Sequence, residues 1–511
     1  MAFNSETIIQ EIRSEFEGIL DFVTNEQAQK SKADEIERGL FKQLLNLGLQ
    51  LLQLFFIFRA EQSSRKPIEQ GAGSLPYHSD KRRRYYSVFG RVFVWRPYFY
   101  QPGEASQSPL DVELSLGDDI YSDMLREMAE HLGVYVTYLK DSDLWQRFFG
   151  LKLSTRAIQD QIITDAADVE AYYKQKSVPA VETEAEILVV QADGKGVPMV
   201  VESVNKPSRR LGKGQKRGQK KEAIVTSAYT IAAKRRTPQQ VLNSFFNPDQ
   251  KVKDGKSPPK PQNKQVWATL AGKDVALARL VRQVVPRQGK HIQHRVALCD
   301  GCPALQSRIQ KQFPEFTLIL DFVHANEYLW KVANSLLGDN DPQRDLWVAE
   351  QTLQMLCNHT DHVIADLQTL LQTETLNASQ RKTITKTANY FQRNLPYMNY
   401  QTYLQQGFPI ASGVIEGACR HLVKDRFELS GMRWTYQGAE SLLHLRAVAE
   451  NNDWEEYHIF RKQRRHDRLY PTSSPPAEIQ AVATQSITDL AQRQPISFSG
   501  LNSYHALPLA S

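Results

Sequence analysis

The chain predicts an α/β core interrupted by a helical insertion and preceded by a mainly helical region. Three observations carry that class. Apolar runs of strand length end at acidic residues, in Ile187-Leu-Val-Val-Gln-Ala-Asp193 and Arg295-Val-Ala-Leu-Cys-Asp300. From about residue 185 such runs alternate with helix-period segments, the order of a mixed sheet covered by helices. From His324 to about Tyr403 the period is helical throughout, and only then does the acidic word around Glu416 arrive.

Composition sets the bounds. A chain of 511 residues has room for two or three domains, and 41% hydrophobic with 10% aromatic residues describe a globular protein rather than a disordered one. The net charge of +6 is small for this length, so where the cations cluster matters more than their sum. Four cysteines in no dense framework fit a reducing compartment. Met1-Ala-Phe-Asn-Ser-Glu-Thr7 lacks a basic segment followed by an apolar one, which argues against a secretory signal. The most apolar stretch, Leu44 to Phe58, is interrupted by Asn46, Gln50 and Gln53 and is short for a membrane span, so a buried helix is expected. The reading is a soluble, cytoplasmic protein with no membrane partner.

Residues 5 to about 62 read as two helices, the second apolar on more than one face; such a helix enters a core or pairs with another subunit. Lys81-Arg-Arg-Arg84 leads into Tyr85 to Tyr100, where aromatic and β-branched residues alternate around Gly90 as in a hairpin. A helical segment runs from about Asp119 to Tyr173. Inside it, the glycine turn at Gly150 and the helix start at Ser154 read either as half of a helix-turn-helix or as two ordinary packed helices. Strands are expected at Ile187–Ala192, Ala223–Ala232, Arg295–Cys299 and Phe316–Leu320, with helices at Lys273–Val284 and Pro303–Phe313. That order suits a ribonuclease H-like sheet. The tail from Tyr470, rich in Ser, Pro, Ala and Gln, reads as loosely ordered.

The chemistry rests on Asp193, Asp300 and Glu416. Taken singly, Asp193-Gly194 and Asp300-Gly301 are turn dipeptides, and Glu416 is a partner for Arg420 one helical turn on. Taken together they are converging carboxylates, delivered by two strand ends and a helix. Such a set holds two divalent ions about 4 Å apart, which clamp the attacking and leaving oxygens of a phosphodiester. Mg²⁺ takes few protein carboxylates and fills its shell with waters and phosphate oxygens, so three ligands suffice. Asp321 also ends a strand and competes with Asp300 for the second position. A zinc site from Cys299, Cys302, Cys357, His359 and His362 lacks two close ligand pairs and would block Asp300.

Cations form the second line. Lys206 to Lys221 holds eight cations and no acids, namely Lys206, Arg209, Arg210, Lys213, Lys216, Arg217, Lys220 and Lys221. Glycines make this segment a flexible, salt-sensitive DNA contact or a solvated hairpin tip. Lys81–Arg84 and Arg461–Arg465 are shorter, and a solvated charge run is the ordinary reading of each. Arg433 and Trp434 offer a phosphate contact and a stacking ring, although burial is the commoner fate of tryptophan.

Six words in order carry a family resemblance: Asp193-Gly-Lys-Gly196, Cys299-Asp-Gly301, Asp321-Phe-Val-His324, Gly413-Val-Ile-Glu-Gly417, Gly431-Met-Arg-Trp434 and Leu442-Leu-His-Leu-Arg446. From about 190 to 450 the chain resembles the DDE transposases of bacterial insertion sequences, in particular the Kra-type group related to Mutator-like transposases. The resemblance implies Asp193, Asp300 and Glu416 as ligands of two Mg²⁺ or Mn²⁺ ions. It assigns Asp321-x-x-His324 to an element that follows the second carboxylate, with His324 donating to a phosphate or orienting Asp300. It further implies cleavage at element ends, 3′-end transfer to target DNA, a dimer or larger assembly on double-stranded DNA, and a nucleoid-associated prokaryotic setting. A nuclease without strand transfer and a catalytically silent DNA-binding protein are the alternatives. The division expected is 1–80 helical; 81–184 a hairpin plus helix-turn-helix-like DNA-binding region; 185–323 with 404–450 the catalytic core; 324–403 the insertion; 451–511 a basic segment and tail.

Overall fold

A computed structural model describes residues 5–70, 73–200, 220–246, 259–338, 341–372 and 375–471. The chain divides into two compact units: Met1–Met128 with Arg147–Leu151 and Trp454–Ser511, and Ala129–Gln146 with Lys152–Asp453.

The first unit opens with α1 (Ser5–Thr24) and α2 (Ala33–Gln62), packed on one another. Two short strands, β1 (Ile68–Gln70) and β2 (Gly73–Leu75), precede the hairpin of β3 (Tyr77–Ser87) and β4 (Gly90–Phe99). The hairpin turns over Val88 and Phe89, and Gly90 closes it at φ +133°, a backbone region that side-chain-bearing residues rarely adopt. One face of the hairpin lies on α2, where Val92 and Val94 bury against Phe56 and Leu116. A short helix, α3 (Pro109–Glu113), follows.

Two expectations change here. The Leu44–Phe58 stretch is helical but not buried: only Phe56 and Ile57 of it are enclosed, while Leu44, Leu51, Phe55 and Phe58 are nearly half exposed. A two-stranded hairpin and one neighbouring helix are too narrow to cover every apolar side of α2. Among the described residues α2 is the helix long and apolar enough to cross a membrane, with mean hydropathy 1.4. The basic run Arg461–Arg465, in the helix Trp454–Leu469, is not simply solvated either. Arg461 and Arg465 are buried and pair with Asp123 at 3.5 and 2.5 Å.

In the second unit the helical region comprises the end of α4 (Asp123–Tyr135), most of α5 (Tyr138–Phe149), α6 (Thr155–Asp165) and α7 (Val169–Gln175). Ser154 caps α6 by accepting from the Ala157 amide at 3.0 Å, and Gly150 sits at φ +68°. The exposed face of α6 carries an Arg156–Asp160 ion pair rather than free cations, while Ile158, Gln161, Ile162 and Asp165 are buried.

Buried Asp141 lies in α5, and burial pushes its carboxyl up to about 7 despite the Trp145 indole and Arg426 guanidinium beside it. Because the folded value lies above the ordinary 3.8, the protonated form is the one favoured by folding. The penalty is absent at low pH, grows as pH rises from about 4 to about 7, and is complete above that. Asp141→Asn is therefore expected to raise the unfolding temperature at pH 8 and to leave it nearly unchanged below pH 4. Equal unfolding temperatures at pH 8 would contradict the account.

The sheet follows: β5 (Ile187–Pro198), β6 (Lys220–Ile231), α8 (Pro238–Phe246), β7 (Gln262–Thr269), α9 (Lys273–Val284), β8 (His294–Cys299), α10 (Pro303–Gln312) and β9 (Thr317–Leu320). Its order is β7-β6-β5-β8-β9, with β7, β6 and β5 antiparallel in turn and β5, β8 and β9 parallel. Both faces are covered, which is why these strands read as unbroken apolar runs. Leu188, Val190, Ala192, Ala297 and Cys299 bury against Leu277, Leu280, Leu305 and Ile309 of α9 and α10. The alternate residues Ile187, Val189, Val296 and Leu298 face the other way, into a core with Leu329, Val332, Met355 and Phe391. That second core is built by the helical stretch α11 (Phe322–Leu337), α12 (Pro342–Leu356), α13 (Thr360–Leu370), α14 (Ala378–Asn394) and α15 (Tyr400–Gln406). After it come α16 (Gly413–Ala418), a π-helical stretch Cys419–Lys424, α17 (Asp425–Phe427) and α18 (Tyr436–Glu450).

Candidate active site

Asp193 was expected to end its strand. It lies inside it instead, because β6 is as long as β5 and pairs with it out to Pro198, setting Asp193 opposite Val225. On the other side, β5 and β8 pair in parallel up to Gln191 opposite Leu298. Asp193 and Asp300 each stand two residues beyond that pair, so they emerge side by side at the same end of adjacent parallel strands. Neighbouring strands are about 4.8 Å apart, and residues two apart share a face, so both carboxylates belong to the face covered by the helical stretch. Neither is fully buried.

Glu416 comes to this strand end on α16, which packs on β5 and β6. Its partner is not Arg420, which turns to Asp425 at 3.4 Å. Ser412 Oγ donates to Glu416 Oε1 at 3.2 Å and also to Asp321 Oδ2. Three residues past Glu416, Cys419 Sγ lies 3.3 Å from Asp193 Oδ2, which ties the glutamate helix to the first carboxylate. Burial and the Asp193 charge push that thiol up, so it stays a neutral donor. The helix widens to π geometry at Cys419, and single π turns of this kind recur at functional sites.

Asp300 is positioned by its own turn and by the helical stretch. Its Oδ1 accepts from the Cys302 amide at 3.0 Å. Its carbonyl accepts from Tyr390 Oη at 2.9 Å, and the Gly301 carbonyl accepts from Arg393 at 3.0 Å, both donors on α14. Tyr390 is in turn stacked on Tyr328 of α11, ring centroids 3.9 Å apart. Gly301 has φ +84°, and a Cβ there would sit 2.6 Å from Tyr390 Oη. Gly301→Ala is expected to cost about 1–3 kcal/mol in a urea titration and to lower any activity that depends on Asp300. A wild-type midpoint would show that the clamp is slack.

Asp321 is the rival for the second position, and the structure gives it a different occupation. It is fully buried at the N-cap of α11, where Oδ1 accepts from the Val323 amide at 2.9 Å. Its Oδ2 takes both Ser412 Oγ and His324 Nδ1, the latter at 2.7 Å. His324 is thus held by Asp321 rather than by Asp300. That hydrogen bond, against the opposing effect of burial, lifts the imidazole to about 9, so it is charged at neutral pH. Ligand atoms of Asp321, His324 and Glu416 lie within 4.8 Å of one another, close enough to hold an ion, whereas those of Asp193, Asp300 and Glu416 do not all approach so closely. Asp321 accepts from three groups, while Asp193, Asp300 and Glu416 accept hydrogen bonds from their neighbours but form no ion pair among the described residues. Carboxylates without an ion-pair partner are hard oxygen donors, the type Mg²⁺ takes.

Of the expected DNA contacts, Arg209, Arg210, Lys213, Lys216 and Arg217 lie outside the described residues. Lys220 pairs with Glu428 at 2.6 Å, and Lys221 lies over the Tyr436 ring. Arg433 is exposed. Trp434 is buried: its indole donates to the Phe427 carbonyl and its ring packs on Phe427 and Tyr138, so it offers no face for stacking a base. Its backbone bonds to Pro198 and Val200, which sets Arg433 beside the end of β5. Tyr390, Arg393, Ser412 and Cys419 are the positioning residues that sequence reasoning missed. Ser412 and Cys419 flank Glu416 closely enough for helical spacing to have flagged them, but nothing local points from α14 to Asp300. No protein-family model matches this chain, and no curated protein matches it, so the three carboxylates and their setting carry what can be concluded about the site.

Proposed function

We propose that the chain is a DNA transposase of the DDE type that cleaves the ends of its element and joins the 3′ ends to target DNA. The observation that carries this reading is the placement of Asp193 and Asp300 at one register on adjacent parallel strands, with Glu416 brought to the same strand end on α16. The strand order, three antiparallel strands followed by two parallel ones, suits a ribonuclease H-like sheet, and the helical stretch stands between β9 and the glutamate helix. Asp193, Asp300 and Glu416 would hold two Mg²⁺ or Mn²⁺ ions. Bound there, such ions supply Lewis-acid activation of the attacking oxygen and charge stabilisation of the departing one.

The chain's own residues supply the rest. Tyr390 and Arg393 fix the Asp300–Gly301 turn, so the second carboxylate is oriented before any ligand arrives. Cys419 and Ser412 set the angle at which Glu416 meets the strands. His324, charged and anchored through Nδ1, has its other nitrogen available as a phosphate donor. Arg433 puts positive charge beside the end of β5, where a DNA backbone would pass.

The test uses DNA from the gene's own locus, including both flanks, with purified protein and Mg²⁺ or Mn²⁺, and maps 3′-end nicks. Metal-dependent nicks at matching repeats on both sides, followed by joined products and lost in Asp193→Asn, are expected. Nicks without joining would make the protein a nuclease. No cleavage by wild type with either metal would overturn the proposal.

A further inference from the structure

The hairpin β3–β4 has one face on α2 and one in solvent, and the solvent face has an unusual make-up. Directly opposed pairs are Arg82 with Trp95, Arg84 with Phe93, and Tyr86 with Arg91. Residues opposed across an antiparallel pair share a face, so these six side chains form a single surface. The alternate residues point inward: Val92 and Val94 are core, and Arg83 and Arg96 are both spent on Asp111, at 3.8 and 2.8 Å. Arg82, Arg84 and Arg91 are exposed, and among the described residues none of them is in an ion pair. No acid occurs between Lys81 and Arg96, and Asp80, the acid of β3 two residues before Arg82, is taken by Arg65 at 3.1 Å.

Two of the three arginines are held, not merely displayed. The Arg82 guanidinium lies 4.4 Å from the centre of the Phe93 ring and 5.8 Å from that of Trp95, and Arg91 lies 5.8 Å from Phe93. A guanidinium resting on an aromatic face loses less freedom on binding than a free one. The edges of the ribbon are already occupied. Phe93 exchanges both backbone bonds with Gln53 at 2.9 Å, and Tyr86 does the same with Ile120 and Ser122 at 2.7 Å. The solvent face is therefore what a partner meets.

We propose that this face binds double-stranded DNA, with the ribbon lying in the major groove and Arg82, Arg84 and Arg91 directed at phosphates and base edges. Two strands about 4.8 Å apart make a ribbon that the roughly 12 Å wide major groove admits. Arginine forks match the paired acceptors on the guanine edge. Duplex rather than single-stranded DNA is the partner, because Phe93 and Trp95 lie under guanidinium groups and are only half exposed. They are not open platforms for unstacked bases. The identity of the partner rests on the transposase reading, but the surface belongs to the first unit and holds none of the carboxylates.

The experiment measures binding of the full-length chain to a duplex from its own flanks, to a scrambled duplex and to a single strand, across a salt series. Arg82→Ala/Arg84→Ala/Arg91→Ala is expected to weaken flank binding by roughly a thousandfold, at about tenfold for each arginine contact, and to flatten the salt dependence. The matching triple lysine variant keeps the charge and is expected to retain duplex binding while losing the preference for flank over scrambled sequence. All three side chains are exposed, so both variants should unfold at the wild-type temperature; if the alanine variant does not fold, the lysine variant decides. Wild-type affinity and preference in the folded variants would sink the hairpin proposal and leave the transposase reading standing, since wild type would still bind and cut. Tighter binding to the single strand by wild type would overturn the duplex claim. No binding of wild type to any DNA would overturn both readings.

Discussion

Asp300→Asn is expected to lower metal-dependent strand cleavage by roughly a thousandfold or more, since a metal site contributes several kcal/mol of charge stabilisation and each 1.4 kcal/mol is tenfold in rate. The fold should be unaffected, because the Asp300 side chain supports only its own turn. Asp321→Asn is expected to do the opposite. Its carboxylate caps α11, holds His324 and receives Ser412, so the variant loses folded stability, by about 1–3 kcal/mol for the charged hydrogen bonds removed, and cleaves with a smaller defect. Cleavage rates and urea midpoints measured on both proteins separate the two roles. A folded Asp321→Asn protein without activity, beside an active Asp300→Asn protein, would move the metal seat to the cluster of Asp321, His324 and Glu416.

Arg287→Ala is expected to destabilise the second unit by about 3–5 kcal/mol, the cost of leaving one half of a buried ion pair behind. Arg287 and Glu184 are each 1% exposed. The guanidinium makes two bonds to Glu184 Oε1, through Nε at 3.0 Å and through a terminal nitrogen. The pair links the turn after α9 to the segment that enters β5, so it braces the strand that carries Asp193. Without Arg287 the carboxylate keeps His291 at 3.4 Å and the Asn263 amide at 3.5 Å, weak replacements for a fork. Replacing both residues with apolar ones of similar volume should restore most of the loss. A single variant that unfolds within about 1 kcal/mol of wild type would show that water or a local shift already satisfies Glu184.

Elements whose burial pattern is local were legible. The strands at Ile187, Ala223, Arg295 and Phe316 and the helices at Lys273 and Pro303 were read from their periods, and the structure places each within a few residues. β7 was missed because its first half, Gln262-Asn-Lys-Gln265, is polar and edge-exposed, so only Val266 to Thr269 carry a core signature. The carboxylates of the proposed site stand out in the sequence for the same local reason, as acids terminating or interrupting apolar runs. What orients them was not. Tyr390 reaches Asp300 across the whole helical stretch, and a bond formed by tertiary packing leaves no period in the sequence. Trp434 and α2 erred in opposite directions. The tryptophan found a carbonyl for its indole and went inside, while α2 had more apolar surface than its neighbours could cover.

The order of the three carboxylates along the chain has a consequence for the life of the protein on the ribosome. Synthesis runs at roughly 5–20 residues per second, so several seconds separate the emergence of Asp300 from that of Glu416. During that interval the strands bearing Asp193 and Asp300 exist without the helix that completes the set, and Tyr390, which orients Asp300, is still being made. Until Glu416 is made, a nascent chain lacks the third carboxylate of the proposed set.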